Sequence, residues 1–87
     1  MTKINCDDLA ALSEELSGRK LELQDFSNRM NATMKFLTDT WESELTESYY
    51  RRYKDSEHNL KQLEKLMNDM IITLDSLSAA VSALQDL

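Results

Sequence analysis

Any chemistry in this chain would have to come from one thiol, one imidazole and scattered carboxylates. Cys6 is the only cysteine and His58 the only histidine of the 87 residues. His58 sits between Glu57 and Asn59, and its neighbours one helical turn away are Lys54 and Gln62, so no metal-binding face forms. Cys6 has no base near it in sequence, and Asp7 and Asp8 oppose a thiolate there. An incidental thiol is the expectation, with an intermolecular disulfide as the alternative. The adjacent carboxylates Asp7–Asp8 and Glu14–Glu15 splay around a helix and do not converge. A di-metal bundle site would need inward-facing Glu-x-x-His motifs, which the chain lacks. Asn31-Ala32-Thr33 matches a glycosylation sequon but falls mid-helix and reads as chance. No nucleophile, base and orienting group can be assembled. The expectation is a protein that is not an enzyme and holds no metal or cofactor.

With catalysis set aside, composition bounds what remains. There is no Pro and a single Gly, Gly18, while Leu, Met, Ala, Glu, Lys and Gln are abundant. These residues lose little on entering a helix, so the chain reads as all-α. Sixteen acidic and ten basic residues leave a net charge of −6, which argues against nucleic acid or an anionic membrane as partner. No segment has the apolar length that crosses a bilayer, so no membrane insertion is expected. The opening residues lack an apolar h-region, so no cleaved secretory leader is expected. The length suits one domain over residues 1–87.

Two long periodic segments flank a short break. Asn5 can cap a first helix, with Asp7 and Asp8 at its positive end, and Ile4 with Leu9 has the spacing of a hydrophobic staple. A heptad with a positions at Leu9, Leu16, Leu23, Met30 and Leu37 follows, its d positions being Leu12, Arg19, Phe26 and Thr33. The second segment is more regular. Of its a and d positions Tyr53, Ser56, Leu60, Leu63, Met67, Met70, Leu74, Leu77, Val81 and Leu84, only Ser56 is polar. Acid–base pairs one turn apart, Glu15–Arg19, Asp25–Arg29, Glu47–Arg51 and Glu57–Lys61, support both helices. Between them Thr38, Asp39, Thr40 and Ser43 are all N-cap residues, and Trp41 is the only tryptophan. The pattern predicts an antiparallel two-helix hairpin over about 6–38 and 43–86. The competing unbroken rod would be about 120 Å long.

Folding about Trp41 pairs residues whose numbers sum to roughly 82 and leaves helix 2 overhanging helix 1. It also leaves apolar residues beyond the a/d seam: Leu45, Leu66 and Leu87 at g, Tyr50 and Ile71 at e, with Met34 and Phe36 beside the seam of helix 1. A stripe this wide belongs to a helix with neighbours on two sides. The expected partner interface comprises Leu45, Tyr50, Leu66, Ile71, Leu77, Val81, Leu84 and Leu87. Two such hairpins, as a homodimer or a heterodimer, would form a four-helix bundle.

The chain resembles the WXG superfamily, the small early-secreted-antigen-type helical hairpins of type VII (ESX) secretion. The resemblance spans the whole chain. It is anchored on the turn motif Trp41-Glu42-Ser43, at the place of the family's Trp-x-Gly, and on the aromatic and basic start Tyr49-Tyr50-Arg51-Arg52-Tyr53. The opening Ile4-Asn5-Cys6-Asp7-Asp8-Leu9 is similar too. Ser43 stands where the family has Gly. The family's Tyr-x-x-x-acid signal is missing near the C-terminus, and Tyr53 with Glu57 has that spacing only at the start of helix 2. The resemblance implies a secreted WXG-like factor, or a partner or targeting chaperone of a larger LXG-type toxin. Such a protein would be cytoplasmic before export, then secreted or associated with the cell envelope. The alternative is a generic coiled-coil or secretion-needle-like subunit.

Overall fold

The computed structural model describes residues 5–86 as two helices, α1 over Cys6–Thr40 and α2 over Glu44–Gln85. Asn5 caps α1 by accepting the Asp8 N–H at 2.9 Å, with Asp7 and Asp8 in the first turn. The staple residue Ile4 lies outside the described residues. Both helices lie within two residues of the ranges expected from the sequence. The molecule measures 66 × 20 × 16 Å. That length is one 42-residue helix at 1.5 Å per residue, so α1 lies alongside α2 and the chain is a hairpin.

The link is Trp41-Glu42-Ser43. The Trp41 N–H reaches back to the Leu37 carbonyl at 2.9 Å and closes α1. Trp41 (φ −130°, ψ 92°) and Ser43 (φ −157°, ψ 161°) are both extended. No described residue has a positive φ, so the reversal does not need glycine's conformational freedom. Ser43 has its own task instead. Its Oγ accepts the Thr46 N–H at 3.1 Å and lies 2.9 Å from Thr46 Oγ1, which caps α2.

The way the helices face each other differs from an a/d seam. Every a position from Leu9 to Leu37 and from Thr46 to Val81 is buried or half-buried. So are the e positions Cys6, Ser13, Lys20, Ser27 and Met34 on α1, and Tyr50, Glu57, Glu64, Ile71 and Ser78 on α2. Every d position of both helices is exposed. The reason is a polar ladder along one edge. Ser13 Oγ donates to Asp75 Oδ1, Lys20 Nζ to Asn68 Oδ1 at 3.0 Å, and Gln24 Nε2 to Glu64 Oε1 at 2.7 Å. Each bond joins an e residue to a b residue of the opposite helix, and together they roll both helices so that e, not d, turns inward. Ser13 and Ser27 are small enough at e to let the backbones approach.

The same bonds fix the register. All three pairs have numbers summing to 88, where folding about Trp41 suggested about 82. The shift brings the end of α2 level with the start of α1: Cys6 Sγ lies 3.2 Å from Gln85 Oε1, and Ser78 Oγ donates to the Cys6 carbonyl at 3.0 Å. The expected overhang from Leu77 is therefore absent, because Leu77 and Val81 run beside the first turns of α1.

Candidate docking face

The rolled pairing gives the hairpin two unlike sides. On the b/e side, a shallow groove is lined by Gln24, Asn28, Asn31, Glu57, Lys61 and Glu64. This side is polar and internally satisfied; among the described residues no buried side-chain nitrogen or oxygen lacks a partner. On the opposite side lie the d rows. A groove of about 700 Å³ runs between Phe26, Met30 and Leu37 of α1 and Tyr49, Tyr53 and Leu60 of α2. Leu12, Leu63, Met70, Leu77 and Leu84 continue this face along the rod, all exposed. Arg52 lies at its rim, its guanidinium 5.8 Å from the Tyr49 ring centroid, a cation–π distance.

Beneath this face there is little interior. Among the described residues the buried hydrophobic ones are Leu9 and Tyr53, and no side chain falls below 2 % exposure. Tyr53 sits at a in the first half of α2, with its hydroxyl 3.4 Å from the Ser27 carbonyl. Burial raises its pKa above the ordinary tyrosine value, and the nearby Glu57 carboxylate pushes in the same direction. Glu57 is itself held between Lys54 and Lys61 at 3.6 Å each. On the same face, at the d position between Leu12 and Phe26, Arg19 is held by Glu22 at 3.1 Å and Glu15 at 3.9 Å; the hydrogen bond to Glu22 raises its pKa first, then the charges of Glu22 and Glu15.

The residues singled out from the sequence divide between the two environments. Leu45, Leu66, Leu77 and Leu84 are exposed, and Leu77 and Leu84 belong to the d row. Tyr50, Ile71 and Val81 are half-buried and belong to the contact between α1 and α2. Leu87 lies outside the described residues. In the turn motif Trp41 is 58 % exposed at the end of the hairpin, Glu42 is exposed, and Ser43 is half-buried as the cap. Sequence reasoning assigned Leu12, Phe26, Leu63 and Met70 to the internal seam, whereas they form the outer face. The signal that could have found them is the regular polar e column, Ser13, Lys20 and Ser27, set against Asn68 and Asp75.

The candidate chemical groups stay apart. Cys6 is half-buried beside Gln85. His58 is exposed, and its Nε2 lies 3.1 Å from Gln62 Nε2. Among the described residues no group of three His, Cys, Asp or Glu side chains gathers at metal-binding distance, and no helix is long and apolar enough to cross a membrane. No protein-family model matches the chain, and neither the curated proteins nor the solved structures compared with it give a match.

Proposed function

We propose that this chain is a non-enzymatic binding protein of a type VII secretion system that acts by helix-to-helix docking through its d-row face. It serves as a secreted WXG-like factor, or as partner and targeting chaperone of a larger LXG-type toxin. It is cytoplasmic before export, and then secreted or associated with the cell envelope. A four-helix bundle with a second hairpin, from a copy or from a toxin's helical domain, is the docked state.

One observation carries the docking. The chain exposes 7002 Å², whereas a compact monomer of its 10.1 kDa mass exposes about 5,300 Å². The surplus of about 1,700 Å² exceeds the roughly 800 Å² per partner of a standard interface, and the exposed d residues Leu12, Phe26, Tyr49, Leu63, Met70, Leu77 and Leu84 contribute to it. The radius of gyration of 19.4 Å, against about 12 Å for a compact chain of this length, has the same origin: a rod two helices thick has no centre. The secretion context rests on the resemblance around Trp41-Glu42-Ser43 and Tyr49–Tyr53.

Export of an LXG-type toxin from cells that make this chain tests the reading. Deleting the chain is expected to abolish that export, restored by the wild-type gene but not by one carrying Leu63→Glu with Leu77→Glu. Export that continues undiminished in the deletion strain contradicts it.

A further inference from the structure

We propose that the b/e side is a second docking site, which holds a short acidic peptide segment of a partner in extended form. The site is separate from the d-row face and does not depend on what covers that face.

Charge is spread unevenly along the rod. Residues 5–18 and 69–86, at the end away from the link, carry seven acids and no base. Residues 39–47, around the link, carry four acids and no base. All nine described bases fall within 19–35 and 51–65, which hold five acids, a net +4 in a chain of −6. Six of the nine, Lys20, Lys35, Arg51, Lys54, Lys61 and Lys65, line the b/e side. Lys54 and Lys61 share one carboxylate, Glu57, and Lys20 is bonded to Asn68. Among the described residues Lys35, Arg51 and Lys65 have no carboxylate within 4 Å, so these charges are left for a ligand.

The bases border one continuous trough. Three shallow grooves of about 450, 440 and 630 Å³ run into one another; the first two share Lys61 and Glu64, and the last two share Asn31. Lys20 and Lys35 stand on the α1 wall and the other four bases on the α2 wall. From Lys20 to Lys35 is about 22 Å along the helix, the length of about seven extended residues. Successive side chains of an extended segment point to opposite sides, so its carboxylates meet bases on both walls. Asn28 and Asn31, both exposed, offer side-chain amides to its peptide groups.

Shape and charge together choose this occupant. The acidic end of another copy is a helix pair 20 × 16 Å across, too wide for a trough between helix axes about 8–10 Å apart. A nucleic-acid strand continues past both ends of the trough, where the acids of the link and of the far end repel its phosphates. Tyr50, the one aromatic ring in the lining, is half-buried with Lys54 Nζ 5.5 Å from its centroid, which leaves no platform for stacking a base. An anionic bilayer is flat and meets the acidic ends before the trough. A short acidic segment avoids both ends.

Fluorescence anisotropy of a labelled Asp/Glu peptide of about seven residues, titrated with the full chain, tests this. The expected result is saturable one-to-one binding that weakens about tenfold when ionic strength rises from about 0.02 to 0.2 M. Lys35→Gln with Arg51→Gln, and separately Lys61→Gln with Lys65→Gln, are each expected to weaken it about tenfold, whereas Arg19→Gln with Arg29→Gln, equal in charge, changes it less than about twofold. Circular dichroism accompanies each pair, and the two trough pairs lie at different heights, so if one loses helix the other decides. No binding by the wild-type chain, or an equal loss in the Arg19 and Arg29 pair, overturns the site. Tighter binding of a single-stranded oligonucleotide of equal charge, or of phosphatidylserine vesicles, overturns the acidic peptide as occupant. Either failure leaves the d-row reading standing, because export and the Leu63 and Leu77 variants test that face alone.

Discussion

Gly18 lies on the outer side of α1, where an added Cβ would meet no atom within 4 Å. A helix-interior glycine with open space around it leaves only its entropic cost. Gly18→Ala should therefore stabilise the protein by about 1 kcal/mol, measured by chemical denaturation, with its mass in solution unchanged. Tyr53 is the residue where pH enters. Its folded pKa is raised by burial and by Glu57, so the neutral phenol is favoured in the folded state. The stabilisation it contributes is complete below the unfolded tyrosine pKa of about 10 and is lost as pH rises through the folded value. Melting temperatures followed from neutral to strongly alkaline pH should fall more steeply for the wild type than for Tyr53→Phe. Parallel curves would contradict that role.

At the scale of the helices, their ends and their rolling were legible to different degrees. Asn5 and the run of strong helix formers announced α1, and the cluster from Thr38 to Ser43 announced the break. Local cap chemistry writes itself into a few neighbouring residues. Ser43 stands where the WXG superfamily, which the chain resembles, has Gly, and it serves as the cap that ends an extended link. Ser43→Ala should cost about 1 kcal/mol and Ser43→Gly only a few tenths; a glycine variant as destabilised as the alanine one would remove the capping account. The rolling was not legible. Apolar a and d columns read as one seam, and the polar e column Ser13, Lys20 and Ser27 of α1 shows that d turns outward only when it is set against Asn68 and Asp75 of α2. That outcome is decided by pairs distant in sequence, such as Gln24 with Glu64 and Ser13 with Asp75, whose register appears only once the link length is fixed. Three of the four acid–base pairs, Glu15–Arg19, Asp25–Arg29 and Glu57–Lys61, close within 4 Å, while Glu47 and Arg51 line a groove on the b/e side.

The whole molecule is a rod two helices thick, polar on one side and apolar on the other. An isolated pair of helices cannot enclose a core, and among the described residues Leu9 and Tyr53 are the only buried hydrophobic side chains. The polar ladder holds the helices in register, but hydrogen bonds at half-exposed positions contribute modestly, on the order of 1 kcal/mol each. Folding is therefore expected to be linked to association through the d-row face. Thermal melting of the purified chain over about two decades of concentration tests this most directly. The account predicts a midpoint that climbs with concentration, or a broad non-cooperative loss of helix if the chain remains a monomer. A sharp cooperative transition at the same temperature at every concentration would contradict it.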